Sequence, residues 1–495
     1  MAIEHLDVVV VGAGISGIGA ACHLVTECPD RSYVLLESRE DIGGTWDLFR
    51  YPGIRSDSDM FTFGYSFEPW QDPKTIADGE SIRRYLASTV AKYGVRDSIR
   101  FRHRVTRAEW SSERARWTVT ATRTDTGDEV RFTCSFLLVC SGYFRYDRGY
   151  TPDFAGSGDF RGALVHPQLW PEDLDWTGKH VVIIGSGATA VTLVPALAER
   201  AASVTMLQRS PTYISSRSSR DRIADLLRRA LPPRPAFALI RWKNVAYSAL
   251  TYRLSRRLPG IVKWAVRRDQ RKRLPEGYIE RHLTPSYEPW DQRFCVAPDG
   301  DLFAAIRSGT ARIVTDHIER LTEDGVLLRS GDHLPADVLV TATGLQLLPL
   351  GGISLAVDGT EVEIGRTVAY KGMMLSGVPN FALVIGYTNA SWTLKSDLVA
   401  AYVCRLLNHL TRTGQDIVVP VAPELDEASL EPLIDFTSGY VRRSIATLPK
   451  QGPAAPWRLH QNYFRDLRIL RDGPLTDGVR FAQAGARLPL EEVSR

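Results

Sequence analysis

Two short glycine-rich turns constrain this chain more than anything else in it: Gly12-Ala13-Gly14-Ile15-Ser16-Gly17 and Gly185-Ser186-Gly187-Ala188-Thr189-Ala190. Each follows directly on a strand-like run, Leu6–Val11 in the first case and His180–Ile184 in the second. A nearly unbroken apolar run is how a parallel strand buried on both faces reads. The first glycine permits the tight turn, the second (Gly14, Gly187) lets backbone approach a pyrophosphate, and the third position (Gly17, Ala190) lets the helix pack on the sheet. The helix that follows presents its free N–H groups and the positive end of its dipole to the phosphates. One such signature is weak evidence. Two, each behind its own strand, predict an α/β chain with two Rossmann-like dinucleotide-binding domains.

The residues after the second strands separate the two sites. Tyr33–Leu36 ends at Glu37, 20 residues after Gly17, where a carboxylate can hold ribose hydroxyls. Val204–Leu207 ends instead at Gln208-Arg209. An acid there would repel a 2′-phosphate, whereas the Arg209 guanidinium pairs with one, and this selects NADPH.

At 495 residues with 44% apolar side chains, the chain is long enough for large cores. No apolar run approaches the ~18 residues of a membrane helix, and no signal-type segment precedes the first strand, so the expected location is cytoplasmic. The six cysteines form no C-x-x-C pair and no metal-ligand spacing, so no metal is expected and the thiols read as free. Charge is uneven. Residues 217–273 hold 17 Lys/Arg against Asp221, Asp225 and Asp269, a local +14 in a chain of net +4. Apolar positions recur there at helical spacing, with breaks at Pro232-Pro233 and Pro259-Gly260. Such a basic amphipathic segment suits a peripheral contact with the inner face of a membrane, or a solvated lid.

Between the two turns lies Phe160-Arg161-Gly162-Ala163-Leu164-Val165-His166-Pro167-Gln168-Leu169-Trp170-Pro171. It resembles the fingerprint of the Baeyer–Villiger flavin monooxygenases, F-x-G-x-x-x-H-T-x-x-W-P. Phe160, Gly162, His166 and Trp170 fit, and Pro167 stands in place of the threonine. The loop Gly43-Gly44-Thr45-Trp46 through Arg50-Tyr51-Pro52-Gly53-Ile54-Arg55-Ser56-Asp57 resembles that family's second signature, which lines the flavin. The stretches GSGATAVTLVPAL, LPEGY, AYKGMMLSG and GYTNASWTLK extend the likeness to a mycobacterial, sulfur-oxidising branch.

That resemblance implies non-covalent FAD at the first site, with Gly44, Thr45, Trp46, Asp57 and Asn389 beside it, and NADPH at the second. It implies oxygen insertion into ketones and oxidation of sulfur in thioethers or thioamides, by dioxygen held as a C4a-(hydro)peroxyflavin. Arg293 falls where the family carries its active-site arginine, with Asp57 orienting it. His166 takes a conformational role in the linker with Phe160, Gly162 and Trp170. Gln292 replaces a lysine common in relatives, which leaves coenzyme choice to Arg209. The implied organisation is 1–145 and 341–495 for the FAD domain, 146–178 for the linker, 179–216 and 274–340 for the NADP domain, and 217–273 for the insertion. The competing readings are an N-hydroxylating or purely sulfur-oxidising flavoenzyme, and a non-catalytic protein binding membrane or nucleic acid. The intact glycines, Glu37 and Arg209 argue against the non-catalytic one, and no nucleic-acid partner is expected.

Overall fold

The computed structural model describes residues 3–292, 294–434 and 439–486. Its first sheet is built on β1 (Glu4–Val11), β2 (Tyr33–Leu36), β3 (His103–Ser111), β4 (Arg116–Arg123) and β5 (Glu129–Val139). β1 runs parallel to both β2 and β5, which is why Val8–Val11 can be apolar on both faces and buried. β4 joins β5 and β3 antiparallel, and Trp110 and Trp117 pack on each other there with ring centroids 5.6 Å apart. Both indoles are core, as their alternation in the strands requires.

Helix α1 (Ile15–Glu27) follows β1. A single turn, α2 (Thr45–Leu48), starts at Gly44, and α3 (Met60–Phe63) is capped by Asp59, which accepts from the Thr62 N–H at 3.1 Å. The loop 43–57 shows no helical period in sequence because one turn is too short to display one. Helix α4 (Gly79–Tyr93) begins three residues before its first apolar position, Ile82, since Asp78 caps it by accepting from the Ser81 N–H.

The second sheet takes β6 (Ala163–Val165), β7 (His180–Ile184), β8 (Ser203–Gln208), β11 (Ala311–Thr315) and β12 (Val338–Thr341), all parallel, in the order β11-β8-β7-β12-β6. Between β8 and β11, β9 (Ile214–Arg217) pairs parallel with β10 (Cys295–Pro298). Helix α5 (Ala188–Ala198) follows β7 as α1 follows β1. Beyond β12 the chain returns to the first sheet, where β13 (Ser354–Val357) pairs with β3 and β14 (Phe381–Leu383) with β5. Both crossings between the sheets therefore run through the linker and the stretch after β12.

Residues 217–273 form three consecutive helices, α6 (Arg222–Ala230), α7 (Pro233–Arg257) and α8 (Pro259–Arg271). Asp221 caps α6, and Pro233 and Pro259 occupy first-turn positions where a missing N–H costs nothing. α7 is fastened to the first sheet's layer by Arg241, which is buried and donates to the carbonyls of Phe61 (2.9 Å) and Gly64 (2.8 Å). Its guanidinium also stands 3.6 Å from Asp397 on α9 (Trp392–Thr413). All six cysteines are buried with free thiols. No helix among the described residues is long and apolar enough to cross a membrane.

Candidate dinucleotide clefts and the linker between them

The first turn makes a cleft of about 310 Å³, lined by Gly12, Gly14, Glu37, Gly44 and Tyr146 among others. A Cβ on Gly17 would lie 1.9 Å from the Gly12 carbonyl oxygen, so the turn and the start of α1 close on each other only because that side chain is absent. Glu37 is buried at the end of β2. Its carboxylate accepts from the Ala13 N–H (2.7 Å) and the Arg39 N–H (2.9 Å), which aims it along the cleft floor. The Gly43 N–H bonds the Ala13 carbonyl at 3.0 Å and lays the Gly43-Gly44 bend over the turn. Tyr146 closes the other side, 3.3 Å from Thr45 Oγ1, with burial pushing its hydroxyl pKa up to about 12. A narrow backbone cradle ending in a carboxylate fits a dinucleotide that carries a free ribose diol.

The second cleft is larger, about 860 Å³, and Gly185, Gly187 and Arg209 line it. The missing Cβ of Gly187 would meet nothing within 4 Å, so the start of α5 faces open space where a phosphate can approach its N–H groups. Ala190 packs behind, fully buried. Gln208 and Arg209 point opposite ways, as neighbours at a strand end do. Gln208 turns inward and donates to the His282 carbonyl (2.7 Å) and Thr315 Oγ1 (2.9 Å), while Arg209 is exposed on the cleft. His317 and Arg329 line the same cleft, and the Arg329 N–H bonds the His317 carbonyl. Nothing in their spacing marks them in sequence, since they come from turns beyond β11. This basic rim fits a 2′-phosphate. Phe144 lines both clefts.

The loop after Gly44 runs from the first cleft to the core and helix layer of the second sheet. Asp47 is buried and held by Arg39 (2.8 Å) and Arg50 (2.5 Å). Trp46 packs edge-on to Phe63. Farther along, Tyr51 sits in the core of the second sheet, and a Cβ on Gly53 would lie 2.8 Å from Ala196 of α5. Arg55 pairs with Asp301. Asp57 is partly buried beyond Tyr51, whose hydroxyl pKa is raised by burial and then by the Asp57 charge. Arg293 lies outside the described residues.

In the linker, Phe160 folds over Gly162, whose Cβ would lie 2.4 Å from that ring and from the Asp337 carbonyl. Trp170 packs edge-on to Trp176. Pro167 opens a short 3-10 turn, Pro167–Leu169, at a position where proline suits the backbone. His166 caps it. The Gln168 N–H donates to His166 Nδ1 (3.2 Å), so the ring proton sits on Nε2, which donates to the Gly344 carbonyl at 3.1 Å. Burial lowers the pKa of His166, which keeps it neutral. The same carbonyl accepts from the Tyr150 N–H at 3.0 Å. Thr45, Trp46, Asp57 and Asn389 do not line either cleft. The Asn389 amide instead donates to the Gln461 carbonyl at 2.9 Å.

Residues 5–373 match the model of the flavin-binding monooxygenase-like family. The chain is 55% identical to the FAD-containing monooxygenase EthA of Mycobacterium tuberculosis, over 98% of this chain and 99% of that one. Its fold is shared with steroid monooxygenase bound to NADP (TM-score 0.73, 23% identity, 97% of this chain and 100% of that one). It is likewise shared with the open form of cyclohexanone monooxygenase (TM-score 0.75, 20% identity, 97% and 100%).

Proposed function

The chain belongs to the flavin-binding monooxygenase-like family, and on that premise we propose that it oxygenates ketones and organic sulfur with NADPH and dioxygen. It is a flavin-dependent monooxygenase, and its cofactors are FAD and NADPH. Bound FAD supplies the redox chemistry, taking hydride from NADPH and passing one oxygen atom of dioxygen to the substrate and the other to water. A ketone, dioxygen, NADPH and a proton thereby give an ester or lactone, water and NADP⁺. A thioether or thioamide gives its S-oxide with the same balance. The enzyme would work in the cytoplasm, where NADPH is supplied.

The observation that carries this reading is that the two clefts adjoin at Phe144. Phe144 thus stands between the cleft that would hold the flavin nucleotide and the cleft that would hold the nicotinamide coenzyme. The chain's own residues position and shield. Glu37 holds the flavin-nucleotide ribose and Arg209 the coenzyme 2′-phosphate. The buried Gly43-Gly44 bend would cover the turn that holds the flavin nucleotide. Arg293 supplies a permanent positive charge for the oxyanion that develops as a ketone is attacked, and Asp57 orients its guanidinium.

The test is coupling of NADPH consumption to product with ¹⁸O₂, over a panel of ketones, thioethers and primary amines. Label in ester or sulfoxide is expected. In Arg293→Ala, FAD should stay bound, with product falling about a hundredfold and hydrogen peroxide taking its place. Unlabelled product, or hydroxylated amines as the sole products, would overturn the reading. Unchanged coupling in Arg293→Ala would remove Arg293 from it.

A further inference from the structure

The insertion is fastened inward and unfinished outward. Of the 14 large hydrophobic side chains exposed on the described surface, nine lie within residues 217–273. They follow helical spacing, so they form stripes rather than scattered points. On α6, Ile223 and Leu226 are 56% and 66% exposed. On α7, Leu239, Trp242 and Leu250 occupy the face opposite the buried Ile240, Arg241 and Asn244. On α8, Ile261 and Trp264 are 55% and 59% exposed. Phe464 adds to the stripe of α7 by stacking on Trp242 at 6.1 Å.

The cations of the segment fall into two groups, those paired with an acid and those without one. Arg241 pairs with Asp397, Lys243 with Asp221, Arg256 with Asp291, Lys263 with Glu288, and Arg267 and Arg271 with Glu276. On the outer side, Arg222 and Arg229 flank the α6 stripe, Arg253 and Arg257 continue that of α7, and Arg268 lies over the Trp264 ring at 5.2 Å. None of these five has an acidic partner among the described residues. A folded chain seldom leaves so much apolar surface bare in one place. Aliphatic side chains and tryptophans ringed by unpaired guanidiniums match a surface that is apolar a few ångströms down and negative at its rim. A nucleic acid would use the charge and leave the leucines and isoleucines idle.

We infer that the outward faces of α6, α7 and α8 seat the enzyme on an anionic phospholipid bilayer, with the leucine, isoleucine and tryptophan side chains among the acyl chains and the arginines at the headgroups. The inference stands apart from the oxygenation reading, since it concerns a surface and not the clefts.

The FAD-loaded enzyme should co-sediment with vesicles of phosphatidylglycerol and phosphatidylcholine in equal parts. Binding should weaken as salt rises from about 0.1 M to about 1 M, and should fall sharply on pure phosphatidylcholine. Tryptophan emission should shift to the blue and be quenched by bromine-labelled acyl chains. The triple variant Leu250→Ser, Ile261→Ser, Trp264→Ser should bind at least about tenfold more weakly, because it removes three inserted apolar side chains. Ile445→Ser, at an exposed site outside the insertion, should bind as wild type. Flavin content and NADPH oxidation verify that each variant is folded. Equal binding to neutral and anionic vesicles, or a triple variant that binds like wild type, would overturn the inference. So would a concentration-dependent dimer that the triple variant abolishes, which would give the patch to a second copy of the chain.

Discussion

At the scale of single residues, coenzyme choice rests on the opposite directions taken by Gln208 and Arg209. Gln208 is spent on internal bonds to His282 and Thr315, so Arg209 is the residue of the pair that reaches a ligand. Arg209→Ala should raise KM for NADPH by about tenfold or more and leave KM for NADH nearly unchanged, as loss of a charge-assisted bond costs about 1.5–3 kcal/mol. Steady-state kinetics with both coenzymes decide it, and equal effects would move the 2′-phosphate to another cation. Arg209 and Glu37 are legible in the sequence because each follows a short strand by a fixed count. His317 and Arg329 are not, because they reach the cleft through the pairing of β11 with β8, about a hundred residues apart in the chain.

At the scale of elements, caps and prolines made the helices readable. Asp221, Pro233 and Pro259 each stand where the observed helix starts. The sequence does not disclose that α7 is held by a buried arginine, since Arg241 looks like any other charge in a basic run. Arg241→Ala would leave Asp397 buried with less compensation, at a cost of about 3–5 kcal/mol. The expected result is a lower melting temperature together with faster proteolytic cleavage inside 217–273. Intact protection of that segment would show that packing alone holds it. The linker turn gives a second case. His166→Ala removes both the cap of Pro167–Leu169 and the bond to Gly344. Flavin content should stay constant while NADPH-dependent flavin reduction slows, which stopped-flow absorbance can follow. Unaltered reduction would leave His166 a merely structural residue.

At the scale of the whole molecule, the two-sheet architecture was legible because each strand–turn–helix unit is local and announces itself. The meeting of the clefts at Phe144 was not, because it depends on where segments far apart in the chain come to rest. Stability carries a long-range element too. His23 on α1 lies 2.6 Å from Glu27 and 3.9 Å from Asp397 on α9. Burial works against charge on His23, but the Asp397 and Glu27 carboxylates outweigh it and hold its pKa up to about 9, against 6.5 ordinarily. A pKa raised on folding stabilises fully below the unfolded value and is lost as pH rises through the folded one. Stability, followed as the melting temperature, should therefore fall between about pH 6.5 and pH 9.5, by an amount on the order of a few kcal/mol. His23→Gln should flatten that slope, and an identical slope in the variant would place its origin elsewhere.

The Gly344 carbonyl accepts from both Tyr150 and His166, so the outgoing and returning passages of the chain are pinned at a single atom. A clasp of two donors on one oxygen thus ties the segment leaving the first sheet to the segment returning to it, directly beyond the paired strands Ala163–Val165 and Val338–Thr341, so neither passage can shift along the other without giving up a bond.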